Sequence, residues 1–125
     1  MSSGRILVVE DEILIRMLAV DMLLDLGHEA DEAGTASEAL EMLQAPGASY
    51  GLVLLDLGLP DKRGDELVRE IRRSHADLPL LVASGEDQSE VKARLQEFAP
   101  IGFLGKPYDL DGMKSNIDRL TANAL

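Results

Sequence analysis

Polar residues suited to chemistry stand directly after four short apolar runs of this sequence. They are Glu10 and Asp11, Asp56, Ser84, and Lys106. Crowded carboxylates raise one another's pKa unless a cation intervenes, and acidic oxygen clusters suit hard ions such as Mg²⁺ or Mn²⁺. With a metal bound, Asp56 would stay ionised and attack phosphorus, while the ammonium and hydroxyl groups offset charge on the phosphoryl oxygens. The pattern therefore predicts an aspartyl-phosphate site.

The apolar runs themselves predict the elements that position these residues. They cover residues 6–9, 52–55, 78–83 and 101–104. Short runs without polar alternation are typical of strands buried on both faces of a parallel sheet. Several intervening stretches have helical spacing and open on Thr or Asp, which are preferred N-caps. These stretches begin near Glu12, Thr35, Arg63, Asp87 and Asp109.

A further, weaker strand completes the predicted alternation. Gly27 occupies the usual stop position of the first helix, and the polar residues 28–32 after it suit a strand near an edge. Five strands alternating with five helices predict one α/β domain over residues 1–125, a doubly wound parallel sheet with helices on both faces. Ligands of such sheets bind outside the carboxyl ends of the strands, so the polar residues are expected to converge there.

Composition limits the classes of protein to which the chain can belong. The sequence has 125 residues, 46% of them hydrophobic, and no cysteine, so we expect one core and neither disulfides nor thiolate metal sites. A formal net charge of −11 without a basic cluster argues against binding nucleic acid. No signal-peptide core or membrane-spanning run is present, so we expect a cytoplasmic protein away from the membrane.

Four segments carry a family resemblance that spans essentially the whole chain. They read ILVVEDE, LVLLDLGLP, LVASGE and FLGKPYDL. Together they resemble the receiver domains of response regulators in two-component signal transduction, and chemotaxis regulators in particular. The resemblance implies the flavodoxin-like strand order 2-1-3-4-5. It also implies a signalling module, not a turnover enzyme, that takes a phosphoryl group from a histidine kinase or a histidine phosphotransfer protein.

The same resemblance assigns roles at the strand ends. It implies that Asp56 is the phosphoacceptor and that Ser84 and Lys106 bind the phosphoryl group. It implies that Asp56 and Asp11 are direct metal ligands. Two further roles in metal binding are also implied: the backbone carbonyl of Gly58 as a ligand and the Glu10 side chain as an outer-sphere partner. Lys106 precedes Pro107, so the peptide bond between them can be cis.

Regulatory roles follow from the resemblance as well. Ser84 and Phe103 would move together as a switch on phosphorylation, and Gly58 and Glu86 would tune hydrolysis of the acyl phosphate. The chain departs from the commoner family pattern at three places: Ser84 replaces Thr, Gly85 replaces Ala, and the segment 61–63 reads Asp-Lys-Arg. These departures leave phosphate lifetime and partner choice open.

The first helix carries more apolar residues than one core can use. One stripe is suited to packing on the sheet: Ile15, Leu18, Ala19, Met22 and Leu26. A second stripe lies nearly opposite on a helical wheel: Ile13, Met17, Val20 and Leu24. Exposed apolar stripes often mark partner sites, so we predict that a partner helix docks on the second stripe.

Other functions remain open at this point. A haloacid-dehalogenase-like phosphatase would need a second Asp two residues after the nucleophile, where this chain has Gly58. An unphosphorylated pseudo-receiver would bind partners without chemistry. We expect no effector domain, so the chain suits a stand-alone regulator, a relay intermediate or a receiver cut from a hybrid kinase. It would act on a downstream protein as a monomer or as a weak phosphorylation-dependent dimer.

Overall fold

The computed structural model describes residues 5–122, in which five parallel strands form one sheet in the order β2-β1-β3-β4-β5. The strands are β1 (Arg5–Val9), β2 (Ala30–Ala33), β3 (Tyr50–Asp56), β4 (Leu80–Ser84) and β5 (Ile101–Gly105). The helices are α1 (Ile13–Asp25), α2 (Ala36–Gln44), α3 (Gly64–Ser74), α4 (Gln88–Leu95) and α5 (Leu110–Ala122), and a 3₁₀ turn, Gln96–Phe98, follows α4. The predicted doubly wound fold and strand order are confirmed.

The sheet is covered on both faces because successive side chains of a strand point to opposite sides. In β3, Val53 and Leu55 pack in the core under α2, α3 and α4. Leu52 and Leu54 pack in the other core, under α1 and α5. Both sets are buried, so the strand reads as a continuous apolar run, as predicted for a two-sided parallel sheet.

The polar strand β2 lies at an edge of the sheet, as predicted. It begins at Ala30, after a glycine stop at Gly27 with φ +90°. Side chains from β1 and β3 stabilise this edge: Arg5 Nη2 lies 2.8 Å from Asp31 Oδ1, and the Tyr50 hydroxyl donates to Asp31 Oδ2 at 2.7 Å. These hydrogen bonds hold the pKa of Asp31 below its usual value, while burial, followed by the bond to Asp31, raises the pKa of Tyr50 to about 12.

The inward face of α1 differs from the prediction at two positions. Ala19 and Leu23 are fully buried, and Leu23 was not in the predicted core stripe. Leu18 was in that stripe, yet 45% of its surface is exposed. Apolar residues occupy every side of this helix, so periodicity alone does not determine which stripe packs on the sheet.

The outward face of α1 is largely as predicted. Ile13, Met17 and Leu24 are exposed, but Val20 is half-buried against the core formed with α5, so its assignment to an exposed stripe was wrong. The exposed surface instead includes Leu14, which is 79% exposed, together with Leu18. We call Ile13, Leu14, Met17, Leu18 and Leu24 the α1 apolar patch.

Candidate functional site

The predicted site residues meet at the carboxyl edge of the sheet. Glu10 and Asp11 follow β1, Asp56 ends β3, Ser84 ends β4 and Lys106 follows β5. Strand order reverses between β1 and β3, which is where open α/β sheets bind ligands. Parallel registers therefore bring residues distant in sequence to one cleft.

Three carboxylates form a cluster at this edge. Each of Glu10, Asp11 and Asp56 offers a carboxylate oxygen, and these oxygens lie within 4.8 Å of one another. Glu10 is only 1% exposed and Asp56 is also buried, whereas Asp11 is exposed at the mouth of the cleft. Such a set of oxygen ligands, open on one side, suits a hard cation that arrives from solvent.

Lys106 supplies the positive charge nearest to this cluster. Its Nζ lies 3.0 Å from Asp56 Oδ1 and 3.2 Å from Glu10 Oε1. Burial acts to lower the pKa of Lys106, but its pairing with the Asp56 carboxylate, followed by that with Glu10, outweighs burial and raises the pKa. The backbone N–H of Lys106 donates to the Ser84 carbonyl at 3.1 Å. The Lys106–Pro107 peptide bond is cis. The side chain is therefore a charged ammonium held between two carboxylates.

Glu10 is the least satisfied member of the cluster. Its Oε2 accepts a hydrogen bond from the Glu12 N–H at 3.1 Å. Its Oε1 is buried and makes no hydrogen bond within residues 5–122; Lys106 Nζ is near enough to pair by charge but not aligned to donate. Burial raises the pKa of Glu10; the Glu12 N–H opposes this shift, and the charge of Asp56 adds to it. A cation, or water bound to a cation, would satisfy this oxygen, so the residues present fit the implied metal.

Gly58 and Ser84 lie beside Asp56, as predicted. The Gly58 N–H donates to Asp56 Oδ2 at 3.2 Å, and a Cβ at Gly58 would stand 3.4 Å from the same oxygen. Glycine thus leaves the approach to the carboxylate open. Ser84 is buried one residue beyond Ala83, the register partner of Asp56, and its Oγ accepts the Glu86 N–H at 2.9 Å.

Two predicted regulatory residues lie outside the carboxylate cluster. Phe103 is half-buried on β5 and lines a cleft of about 600 Å³ between α4 and α5. Glu86 is exposed in the β4–α4 connection, where its Oε1 lies 3.4 Å from Arg94 Nη1. Within residues 5–122, neither side chain makes a hydrogen bond or ion pair with the three carboxylates.

Sequence reasoning missed two residues that bear on the site. Tyr108 is buried next to it, and burial, followed by the charges of Glu10 and Asp56, raises its pKa. Its place two residues after Lys106 was the available signal. Arg16 Nη1 donates to the Glu10 carbonyl at 2.8 Å, and its Nε donates to Glu32 at 3.0 Å. That contact depends on how α1 packs against β2, for which the motifs carry no signal.

Comparison with known proteins identifies the family. The model of the response regulator receiver domain matches residues 6–118. The chain belongs to this family. Receiver domains are signalling domains rather than turnover enzymes. No helix formed by residues 5–122 has the length and apolar character that crossing a bilayer requires.

Similar proteins include kinases and regulators of larger size. The receiver is 32% identical to sensor kinase CckA of Brucella abortus over 94% of this chain and 12% of that protein. It is 33% identical to the transcriptional regulatory protein PmrA of Pectobacterium parmentieri over 93% of this chain and 51% of that protein. The chain thus spans about half or less of these relatives.

Solved structures agree with the fold. Response regulator protein TrrA of Thermotoga maritima, in complex with Mg²⁺ and BeF, superposes with a TM-score of 0.82 at 30% identity. The match covers 94% of this receiver and 98% of that chain. Chemotaxis protein CheY4 of Vibrio cholerae gives a TM-score of 0.84 at 26% identity, with 95% and 99% covered.

Proposed function

We propose that this receiver accepts a phosphoryl group on Asp56 from the phosphohistidine of a sensor histidine kinase or a histidine phosphotransfer protein. One observation carries the proposal: the buried Asp56 carboxylate lies 3.0 Å from Lys106 Nζ and within 4.8 Å of the other two carboxylates. A buried carboxylate beside two others is costly unless it is paired with a cation, and such a group is a candidate for a chemical role. The haloacid-dehalogenase-like alternative lacks its second Asp, because Gly58 stands in that position.

The reaction is a displacement at phosphorus. An Asp56 oxygen attacks, the P–N bond to the donor imidazole breaks, and the electron pair returns to the ring nitrogen, which takes up a proton. Lys106 offsets the negative charge on the phosphoryl oxygens. The Ser84 hydroxyl, whose oxygen accepts the Glu86 N–H, has its own proton to donate to a phosphoryl oxygen.

A divalent cation completes this proposal. Asp11, Asp56 and the Gly58 carbonyl would hold Mg²⁺ or Mn²⁺, with Glu10 in the outer sphere. When bound, the ion neutralises the carboxylates and stabilises negative charge on the phosphoryl oxygens. The buried Glu10 Oε1, which lacks a hydrogen-bond donor, and the exposed Asp11, whose carboxylate is open to solvent, support this assignment.

The output of the domain would be a change of binding surface. Ser84 would turn toward the phosphoryl group, Phe103 would move with it, and the cleft beside Phe103 would present a different surface to a downstream protein, or to a second receiver as a weak dimer. Gly58 and Glu86 would set the rate at which water hydrolyses the acyl phosphate. We expect residues 1–125 to act as one receiver domain in the cytoplasm, because a chain without cysteine needs no oxidising compartment to form disulfides.

Intact mass after incubation with acetyl phosphate and Mg²⁺ tests the central proposal. The parent should gain one phosphoryl group, whereas Asp56→Asn and a parent sample treated with chelator should gain none. Asn is close in size to Asp, so the variant removes the nucleophilic carboxylate with little change in packing. A parent without an adduct would favour a pseudo-receiver that acts by binding alone.

The partner would dock on the α1 apolar patch. Ile13 is 61% and Met17 54% exposed, and Ile13 lies two residues after Asp11, so the patch adjoins the site. A helix of a kinase or phosphotransfer protein with an apolar face would cover it while presenting its histidine to Asp56.

Met17→Asp should slow phosphotransfer from the cognate kinase by about tenfold, since a buried contact would be replaced by a charge. Phosphorylation by acetyl phosphate should be unchanged, because that donor needs no docking. Ala93→Asp is the matched control, an exposed position on α4 over the other face of the sheet. Equal slowing with both donors would rule out docking at this patch.

A further inference from the structure

Asp61, in the connection from β3 to α3, makes an unusual contact for an exposed residue. Its Oδ1 accepts the Ala36 N–H at 2.9 Å, and its Oδ2 accepts the Ser37 N–H at 2.9 Å. These bonds hold the pKa of Asp61 below its usual value. Both donors lie in the first turn of α2, where backbone N–H groups have no partner within the helix.

Local side chains accept hydrogen bonds from the N–H groups of Glu38 and Gly34 at this end of α2, but not from those of Ala36 and Ser37. Thr35 Oγ1 accepts the Glu38 N–H at 3.1 Å, and Glu38 Oε1 accepts the Gly34 N–H at 2.7 Å. Ala36 and Ser37 are thus left to Asp61. Two sets of side chains therefore cap the N-terminus of α2: the local residues Thr35 and Glu38, and Asp61 from the β3–α3 connection.

The hydrogen bonds of Asp61 attach the β3–α3 connection, which begins directly after Asp56, to the N-terminus of α2. Asp61 stands three residues after Gly58, and three residues span at most roughly 10 Å. Buried Leu57 and Leu59 anchor the same segment to the core, and the Gly64 N–H bonds to the Leu57 carbonyl at 3.0 Å. Gly58 itself is exposed between these anchors, and the two hydrogen bonds at Asp61 add a third fixed point to the segment that carries its carbonyl.

We propose that Asp61 is a positioning residue for the metal site: by joining the β3–α3 connection to the first turn of α2, it holds the Gly58 carbonyl in place for the cation. The inference rests on the proposed function, because it requires the metal. It also gives a role to part of the segment 61–63, where this sequence departs from the commoner family pattern. Asp61 touches no reacting atom and acts only through the backbone.

A purely structural cap predicts a different outcome, and Thr35→Ala distinguishes the two. That variant removes a cap from the same end of α2 and leaves the bonds from Asp61 intact. Asp61→Ala removes the link between the two segments. Asp61→Asn loses the charge but keeps one oxygen that can accept a hydrogen bond.

The dissociation constant for Mg²⁺, measured by titration calorimetry on the full chain, is the readout. Ionic strength is kept high so that loss of a distant charge is screened. Asp61→Ala should weaken binding by about tenfold, the usual scale for an outer-shell partner of a metal site, and Asp61→Asn should weaken it less. Thr35→Ala should bind as the parent does. Urea unfolding of each variant shows that the comparison is made between folded proteins.

Three results would count against this inference, and they do so in different ways. If the parent binds Mg²⁺ and Asp61→Ala binds it equally well, or if Thr35→Ala weakens binding as much as Asp61→Ala does, Asp61 is only a helix cap and the proposed function stands. If the parent binds no Mg²⁺, the proposed function fails and the positioning role fails with it.

Discussion

Two buried carboxylates near the same edge of the sheet have opposite electrostatic environments. Asp65, at the start of α3, is 6% exposed, and both of its oxygens pair with Arg94, at 2.7 and 3.3 Å. Burial acts to raise the pKa of Asp65, but the hydrogen bonds and charge of Arg94 lower it below the usual value. Glu10 is as deeply buried, shares one ammonium with Asp56, and has a raised pKa.

The difference separates a carboxylate that the chain satisfies from one that it does not. Arg94 joins α4 to α3 and satisfies the Asp65 carboxylate without help from outside the chain. Glu10 and Asp56 share Lys106 and leave one buried oxygen unsatisfied within residues 5–122, so this cluster is incomplete until another cation arrives. Burial alone does not distinguish the two sites, whereas the buried oxygen that lacks a hydrogen-bond partner does.

Removing each cation in turn tests this distinction most strongly. Lys106→Met should lower the free energy of unfolding of the metal-free protein by about 2 kcal/mol, because it leaves the buried Glu10 and Asp56 carboxylates without a cation. The loss is limited to this size because Lys106 itself is partly exposed. Mg²⁺ should then stabilise this variant more than it stabilises the parent, since the ion no longer competes with an ammonium. Urea unfolding followed by circular dichroism, in chelator and in Mg²⁺, measures both effects.

Arg94→Met is the matched control for that experiment. It replaces the cation that pairs with Asp65 by the same neutral residue, so it should also destabilise the protein, but its gain from Mg²⁺ should equal that of the parent. Equal gains from Mg²⁺ in all three proteins would mean that Lys106 does not compete with a cation, and the distinction between the two sites would fail.

The residues of this edge were predictable to different degrees, for physical reasons. Asp56 and Lys106 follow unbroken apolar runs, and a polar residue at such a point must lie at a strand end, so their convergence could be predicted. Helix starts were predictable where the cap is local: Thr35 and Asp87 accept hydrogen bonds from N–H groups two or three residues further on.

Contacts across the fold carried no comparable signal. Asp61 caps a helix that begins 25 residues earlier, and Arg94 pairs with Asp65 across 29 residues. The local sequence around Asp61 or Arg94 therefore does not predict its partner. On α1, Leu18 and Val20 were placed on the wrong faces because apolar residues surround the helix and packing alone decides between them. Local pattern determined the elements, and the tertiary arrangement determined which side chains meet.

The pH dependence of stability sharpens the comparison with a smaller effect. A carboxyl with a lowered pKa, such as Asp65, contributes stability above its unfolded value near 3.8 and loses it as pH falls through the folded value. Asp65→Asn should therefore cost about 1 kcal/mol at neutral pH, since the arginine partner is partly exposed, and the gap from the parent should close at acidic pH. Glu10, with a raised pKa, favours the folded state at low pH and loses that contribution as pH rises. Urea midpoints of parent and variant between neutral pH and pH about 3 report the effect. A gap that stays constant across this range would show that the ion pair of Asp65 contributes nothing to stability and that its hydrogen bonds alone account for the loss.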